Sequence, residues 1–266
     1  MKQKQNYNRS KKNQPSRNTQ TQKAKIDLFG MHAVSAAWVN PKRHIHNLYI
    51  TDAALDGFDQ ALKTAHDMGL KRPNPQIVDK GFLDHSTPMG SVHQGIGLNC
   101  QALEDVDIHD LIRANEMREK TLLVMLDQVT DPHNVGAIIR SACVFGAAGM
   151  IMQKKHAPDL TGVLAKTACG GVEHVPVAYE TNLTRSLETL QDAGYFAVGL
   201  AEEGDDNLKN FSNHEKLVLV LGAEGDGLRR LVREQCDALT RLPTAGPISS
   251  LNVSNAAAVA FYAVCS

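Results

Sequence analysis

Leu122-Leu-Val-Met-Leu-Asp-Gln-Val-Thr-Asp-Pro-His-Asn-Val-Gly-Ala-Ile-Ile-Arg-Ser-Ala-Cys-Val-Phe145 is the stretch that decides the fold. It opens on an unbroken apolar run, 122–126, too short for a core helix and bounded by polar residues. Such a run predicts a strand buried on both faces. A polar loop containing Pro132 follows. Apolar residues then recur at helical spacing over 135–145.

Outward from this unit the alternation continues. The pattern predicts a strand at 150–152, a helix over 160–168, a strand at 175–177 and a helix over 183–193. Strands at 196–200 and 217–221 come next, then a helix over 228–235, a strand at 238–242 and a C-terminal helix. Continuous apolar strands alternating with helices predict an α/β domain over 121–266, built on a mostly parallel, doubly wound sheet.

Residues 26–100 read as a smaller α/β unit. A strand turn and helix over 28–38 lead to a strand at 46–51. A helix over 56–68 places Phe58, Leu62, Ala65 and Met68 on one face. A short strand at 77–78, a loop over 83–90 and a last strand at 95–100 complete it. The mixed-charge stretch 101–120 reads as a linker with a short helix at 108–115. No internal repeat is visible.

Formal net charge is −1, but residues 1–25 carry eight basic side chains and no acid. The remaining 20 basic and 29 acidic side chains give the rest of the chain a charge of −9. The first 25 residues are otherwise Asn, Gln, Ser and Thr, with little to bury, so they read as a disordered basic tail. Such an arm suits a polyanion, RNA above all, or serves only to solubilise. It has no hydrophobic core region and is not a secretory signal.

With 266 residues and 42% of them apolar, the chain excludes wholesale disorder. Five scattered cysteines without a C-x-x-C pair read as reduced thiols of a cytoplasmic protein and argue against a zinc site. The histidines show no metal-ligand spacing, so no metal is expected. Residues 242–266 are free of formal charge, yet Pro243, Gly246, Pro247, Asn252 and Asn255 interrupt them. The continuous apolar part, 256–265, is about half the ~20 residues a membrane span needs. A loop and then a helix buried all round, in part by a subunit interface, fit better.

Ligands of open α/β sheets bind beyond the carboxyl ends of the strands. Three such ends are rich in Gly, Asn or Ser: 127–140, 221–228 and 242–254. Taken singly, Asn134 would be a helix cap, Arg140 a surface ion-pair partner and Glu224 a solvated loop acid. Gly222-x-x-Gly225-x-Gly227 is neither the dinucleotide fingerprint nor a Walker loop.

Together, the three loops resemble motifs 1, 2 and 3 of the SpoU (TrmH-type) class of the SPOUT superfamily, RNA 2′-O-ribose methyltransferases. The residues that carry the resemblance are Asp131-Pro-His-Asn134-x-Gly136-x-x-x-Arg140, Gly222-Ala-Glu224-Gly225-x-Gly227, and Ser249-Ser-Leu-Asn252-Val-Ser254-x-Ala256. Phe29-Gly-Met-His-Ala-Val34 and Val92-His-Gln-Gly-Ile96 resemble the small ribosomal-protein-like RNA-binding domain that precedes this catalytic domain. Cys169-Gly-Gly-Val-Glu-His-Val-Pro176 adds to the match. The patterns are most similar to 23S rRNA guanosine-2′-O methyltransferases. Pro247 and Asn255 depart from the family pattern at non-catalytic positions.

The resemblance implies a C-terminal trefoil knot, a homodimer and S-adenosyl-L-methionine held near Gly222, Gly227, Leu242, Leu251 and Ser254. It also implies Arg140 as the central catalytic residue, holding target phosphate and ribose and stabilising developing negative charge. Its guanidinium, a cation that donates and does not accept, is not the proton acceptor. Asn134 and Asn252 would position ribose or Arg140. Glu224 would orient Arg140 or an asparagine, within a protomer or across the dimer. Competing readings are a tRNA 2′-O-methyltransferase of the same class, a non-catalytic ribosome-assembly factor and an ordinary Rossmann-fold methyltransferase. The last would carry its glycine loop after the first strand, not after the late strand that ends at Gly222.

Overall fold

The computed structural model describes residues 23–247 and 250–265. Most of the basic tail, and Ser249 of the third motif, lie outside the described residues.

The N-terminal strands are β1 (Leu28–Phe29), β2 (Ile45–Ile50), β3 (Gln76–Ile77) and β4 (Ile96–Cys100), in the order β1-β4-β2-β3. Helices α1 (Met31–Val39) and α2 (Asp52–Asp67) pack on this sheet through Val34, Trp38 and Phe58, all at most 2% exposed. Trp38 and Phe58 meet edge to face. One expectation fails here. Residues expected as a loop over 83–90 begin inside a helix, α3 (Lys80–Ser86). Asp79 caps it, its side chain accepting the Phe82 N–H at 2.7 Å. A residue that satisfies a first-turn donor nucleates a turn that periodicity alone does not reveal.

The stretch expected as a linker carries the short helix expected there, and that helix is packed. Helix α4 (Ile108–Ala114) starts with a reciprocal capping box between Asp107 and Asp110, and it buries Ile108 and Leu111 against the larger sheet.

The larger sheet comprises β5 (Thr121–Asp127), β6 (Gly149–Gln153), β7 (Val177–Glu180), β8 (Phe196–Leu200), β9 (Lys216–Gly222) and β10 (Ala238–Thr240). All its pairings are parallel and the order is β10-β8-β9-β5-β6-β7. The expected α/β class and parallel sheet are therefore present. β7 starts later than expected because Pro176 has no N–H for the ladder, and only its carbonyl joins, accepting from Met150 N.

Side chains of the central strands alternate between two cores, as the two-residue repeat of a strand requires. Val124 and Leu126 of β5, with Leu217, Leu219 and Leu221 of β9, face one core. Three helices close that face: α5 (Pro132–Val144), α6 (Gly162–Thr167) and α9 (Val253–Cys265). Leu123 and Met125, with Val218 and Val220, face the other core, closed by α4, α7 (Leu183–Asp192) and α8 (Arg230–Gln235). The first core runs without a break into the N-terminal unit, joining Trp38 and Phe58 to Ile139 and Phe261.

Chain order reverses between β5 and β9. From β5 the chain winds outward through β6 and β7, then returns on the other side of the sheet. The carboxyl ends of β5 and β9 thus form a switch point, where loops part and a ligand can enter.

Candidate active site

The first loop is set by Asp131, not Asn134. The Asp131 side chain accepts from the backbone N–H groups of His133 and Asn134 (3.4 and 3.1 Å), and Pro132 fills the first turn of α5. This relieves Asn134 of the capping role that a lone reading gives it. The Asp-Pro pair was itself a legible helix-start signal.

The freed Asn134 amide turns to the second loop. Its Nδ2 donates to Glu224 Oε1 at 3.0 Å. Asn252 Nδ2 donates to Asn134 Oδ1 at 3.0 Å and also to Glu224 Oε1. The Val253 N–H points at the same carboxylate oxygen from 3.4 Å. Asn252 also caps α9: its Oδ1 accepts from the Ser254 N–H at 2.9 Å and the Ser254 hydroxyl at 2.6 Å. One carboxylate therefore gathers three loops at the N-terminus of α9, where negative charge is favoured by the helix dipole.

Beside this network lies a cleft of about 700 Å³. Three of its walls are 200–203, 221–228 and 240–244, closed by Leu251, Val253 and Ala256. Gly222, Gly227, Leu242 and Leu251 line it, as does Glu224. Ser254 does not; its hydroxyl is committed to Asn252.

Gly222 is required by its surroundings. An added Cβ would stand 2.2 Å from the Gly227 carbonyl carbon, because Ala223 and Gly227 pair as a tight bridge. Gly225 and Gly227 hold φ of +84° and +65°, where L side chains are strained.

The cleft joins apolar faces from Leu221, Leu242 and Leu251 to carboxylates at Glu202, Glu203, Glu224 and Asp226. Arg233, one of its cations, is paired to Glu203. The Glu203 carboxyl is held below the usual carboxylate range, first by a backbone hydrogen bond and then by Arg233. A polyphosphate would be repelled here. A neutral or cationic nucleoside with hydroxyls to donate fits these acceptors.

Arg140 is not brought to the network of its own chain. It sits six residues after Asn134 on α5, exposed, and makes no hydrogen bond or ion pair among the described residues. At helical spacing it shares a face with His133, Ala137 and Val144. Val144 is 73% exposed, and Val259 and Tyr262 are exposed on neighbouring α9. His133 lies in the first turn of α5.

One supporting pair has no motif of its own. Asp127 ends β5 and is fully buried; its carboxylate accepts the Arg229 N–H at 2.8 Å and Arg229 Nε at 2.7 Å. It locks the start of α8, and with it the 222–228 turn, onto the central strand. The signal for it was an acid directly after an apolar strand. Among the described residues no group of His, Cys, Asp and Glu is placed to hold a metal ion, and no helix is long and apolar enough to cross a membrane.

Fold, loops and network together define a class. Residues 121–262 match the family model described as the SpoU rRNA Methylase family, and the chain belongs to that family. It is 39% identical over 236 residues to 23S rRNA (guanosine-2′-O-)-methyltransferase RlmB of Photobacterium profundum, covering 88% of this chain and 95% of the relative. The protein of the same description from Haemophilus influenzae is 36% identical over 239 residues, covering 89% and 96%. Among solved structures, the SpoU methyltransferase AviRb of Streptomyces viridochromogenes in complex with the cofactor AdoMet superposes with a TM-score of 0.73. That match has 26% identity over 94% of this chain and 92% of AviRb.

Proposed function

We propose that this chain is an S-adenosyl-L-methionine-dependent 2′-O-ribose methyltransferase acting on a guanosine of 23S rRNA. The observation that carries the reading is the Asn134–Glu224–Asn252 network at the lip of an acidic, phosphate-averse cleft. The identity to RlmB relatives across nearly their whole length supports rRNA over tRNA.

The cleft residues fit the cofactor. Leu221, Leu242 and Leu251 offer apolar faces for a base, and the carboxylates suit ribose hydroxyls and a cationic tail. Bound there, S-adenosyl-L-methionine supplies a methyl group already activated on a sulfonium. The chain's own task is alignment and charge control. Glu224 holds both asparagine amides in one orientation, so that they meet the ribose as preset partners. Arg140 holds the phosphate and ribose of the target nucleotide and stabilises the developing oxyanion.

In this reading the enzyme is a cytoplasmic homodimer, and Arg140 serves the network of its partner. The exposed apolar rim of Val144, Val259 and Tyr262 beside Arg140 supports that placement. The 26–100 unit is the RNA-binding domain, and 121–266 the methyltransferase domain with a trefoil knot. That Leu242, before α9, and Leu251 share one cleft with Gly222 supports the knot.

The test is transfer of labelled methyl to undermethylated rRNA and tRNA, with Arg140→Ala alongside. Label at one 2′-O-methylguanosine of 23S rRNA, lost in the variant, is the expected result. Label confined to tRNA overturns the substrate, and no label in any RNA overturns the activity.

A further inference from the structure

The contact between the N-terminal unit and the larger sheet holds a charged group where an apolar one would be expected. Arg43 and Glu173 are an ion pair at 2.7 Å whose side chains are 4% and 2% exposed. Arg43 belongs to the N-terminal unit, before β2. Glu173 ends the short 3₁₀ turn Gly171–Glu173, before β7. Both partners are multiply bonded. Arg43 Nε and Nη2 both donate to the Glu173 carboxylate, Nη1 donates to the Gln101 carbonyl at 2.7 Å, and Asn40 Nδ2 donates to Glu173 Oε2 at 2.7 Å. The carbonyls of Trp38, Asn40 and Arg43 are in turn gathered by Arg72, which sets the backbone behind the pair.

The same turn is pressed against α5. A Cβ on Gly171 would lie 3.2 Å from Ile139 Cγ2 and from the Ile139 carbonyl, one residue before Arg140. On its other side, a Cβ on Gly170 would lie 2.7 Å from Ala36 Cβ of α1. A side chain at Gly170 would force α1 to move, and one at Gly171 would be tight against α5. The turn is a spacer of fixed thickness between the N-terminal unit and the helix that carries Arg140.

A buried ion pair is a poor source of stability, because desolvation offsets most of its attraction. It is a good source of register, since any displacement leaves two buried charges unsatisfied. We propose that Arg43 and Glu173 are positioning residues. They fix the N-terminal unit at one distance and angle from the transfer site, and so determine which ribose of a folded RNA is methylated. This rests on the reading of 26–100 as the RNA-binding domain.

The experiment uses the full chain, with Glu173→Gln, Arg43→Lys and the double variant Arg43→Met with Glu173→Met, which leaves no charge unpaired. Binding of S-adenosyl-L-methionine, KM and kcat on undermethylated 23S rRNA and the methylated nucleotides are measured for each. In Glu173→Gln, cofactor affinity is expected to stay within about twofold, KM for rRNA to rise about tenfold, and label to spread to neighbouring riboses. Arg43→Lys, which keeps the charge but loses the fork, falls between. The double variant keeps the fold and shows the same spread. Folded variants with wild-type KM and a single wild-type nucleotide overturn the proposal. So does a uniform loss of cofactor binding and kcat, which is the signature of a merely structural role. If wild type labels no RNA, it is the functional reading that fails. Small-angle scattering then decides the clamp alone: a larger radius of gyration in Glu173→Gln supports it, and an unchanged one overturns it.

Discussion

Asn134 Nδ2 meets Glu224 Oε1 at 3.0 Å although 90 residues separate them. The contact joins the carboxyl end of β5 to that of β9, the two strands at which the chain reverses its winding. Replacing Glu224 with Gln removes the anionic acceptor on which both asparagines converge. Single-turnover methyl transfer is expected to fall about 10²–10³-fold, the usual cost of losing a preset polar group at a reacting centre. Because Glu224 is exposed and Gln keeps an amide oxygen as acceptor, stability is expected to fall by no more than about 1 kcal/mol. A wild-type rate in Glu224→Gln would show that the network does not position the reacting ribose.

Arg140 and Asn134 test the shared site. In the proposed homodimer, Arg140→Ala and Asn134→Ala are each expected to be inactive. Mixed after unfolding and refolding together, they form heterodimers in which one of the two sites has both residues if Arg140 acts across the interface. Equal mixing then recovers about a quarter of wild-type activity. If Arg140 serves its own chain, the mixture stays inactive.

Two glycines of one turn are expected to differ. In Gly222→Ala the new methyl meets the Gly227 backbone at 2.2 Å, and the Ala223–Gly227 bridge must open. Calorimetric titration is expected to show no cofactor binding. In Gly225→Ala the methyl meets nothing within 4 Å, and only the positive φ is strained, about 1 kcal/mol. Binding there is expected to stay within about tenfold of wild type. Equal losses at both positions would contradict the packing argument.

Thiol reactivity separates the cysteines. Burial pushes Cys100 up to about 11 and Cys236 up to about 12. Only the thiolate reacts, so at pH 8 both are expected to resist alkylation in the native state and to label after denaturation. The linkage has a sign. A thiol whose pKa is raised on folding binds its proton more tightly when folded, so stability is intact below the ordinary thiol value of 9 and falls as pH rises above it. Peptide mapping after alkylation checks the first point, and denaturant melts between pH 8 and 10 check the second.

Much of this was legible in residues 121–266. Five-residue apolar runs separated by helical periodicity identify a parallel sheet, because only strands covered on both faces can be apolar at every position. The glycine and asparagine clusters after three strands supply the residues that meet in the polar network and the cleft beside it. Helix α3 was missed because its start depends on one hydrogen bond from Asp79 rather than on a pattern. The packing of 108–114 was missed because mixed charge outside Ile108, Leu111 and Ile112 masks a one-sided apolar face. The acid that ends β5 is visible in the sequence, but that Asp127 pairs with Arg229, and Arg43 with Glu173, has no local signature.

The sequence by itself determined the class of fold, the three loops and the chemical groups they carry, since these depend on residue type and short-range spacing. The tertiary structure alone decided which groups meet. It turned Asn134 from a cap into a partner of Glu224, set Arg140 apart on an exposed helix face, and seated a buried ion pair between the two units. Those outcomes depend on strand order and on how closely helices approach. Residues 90 or 130 apart are brought within 3 Å only once the whole chain is packed.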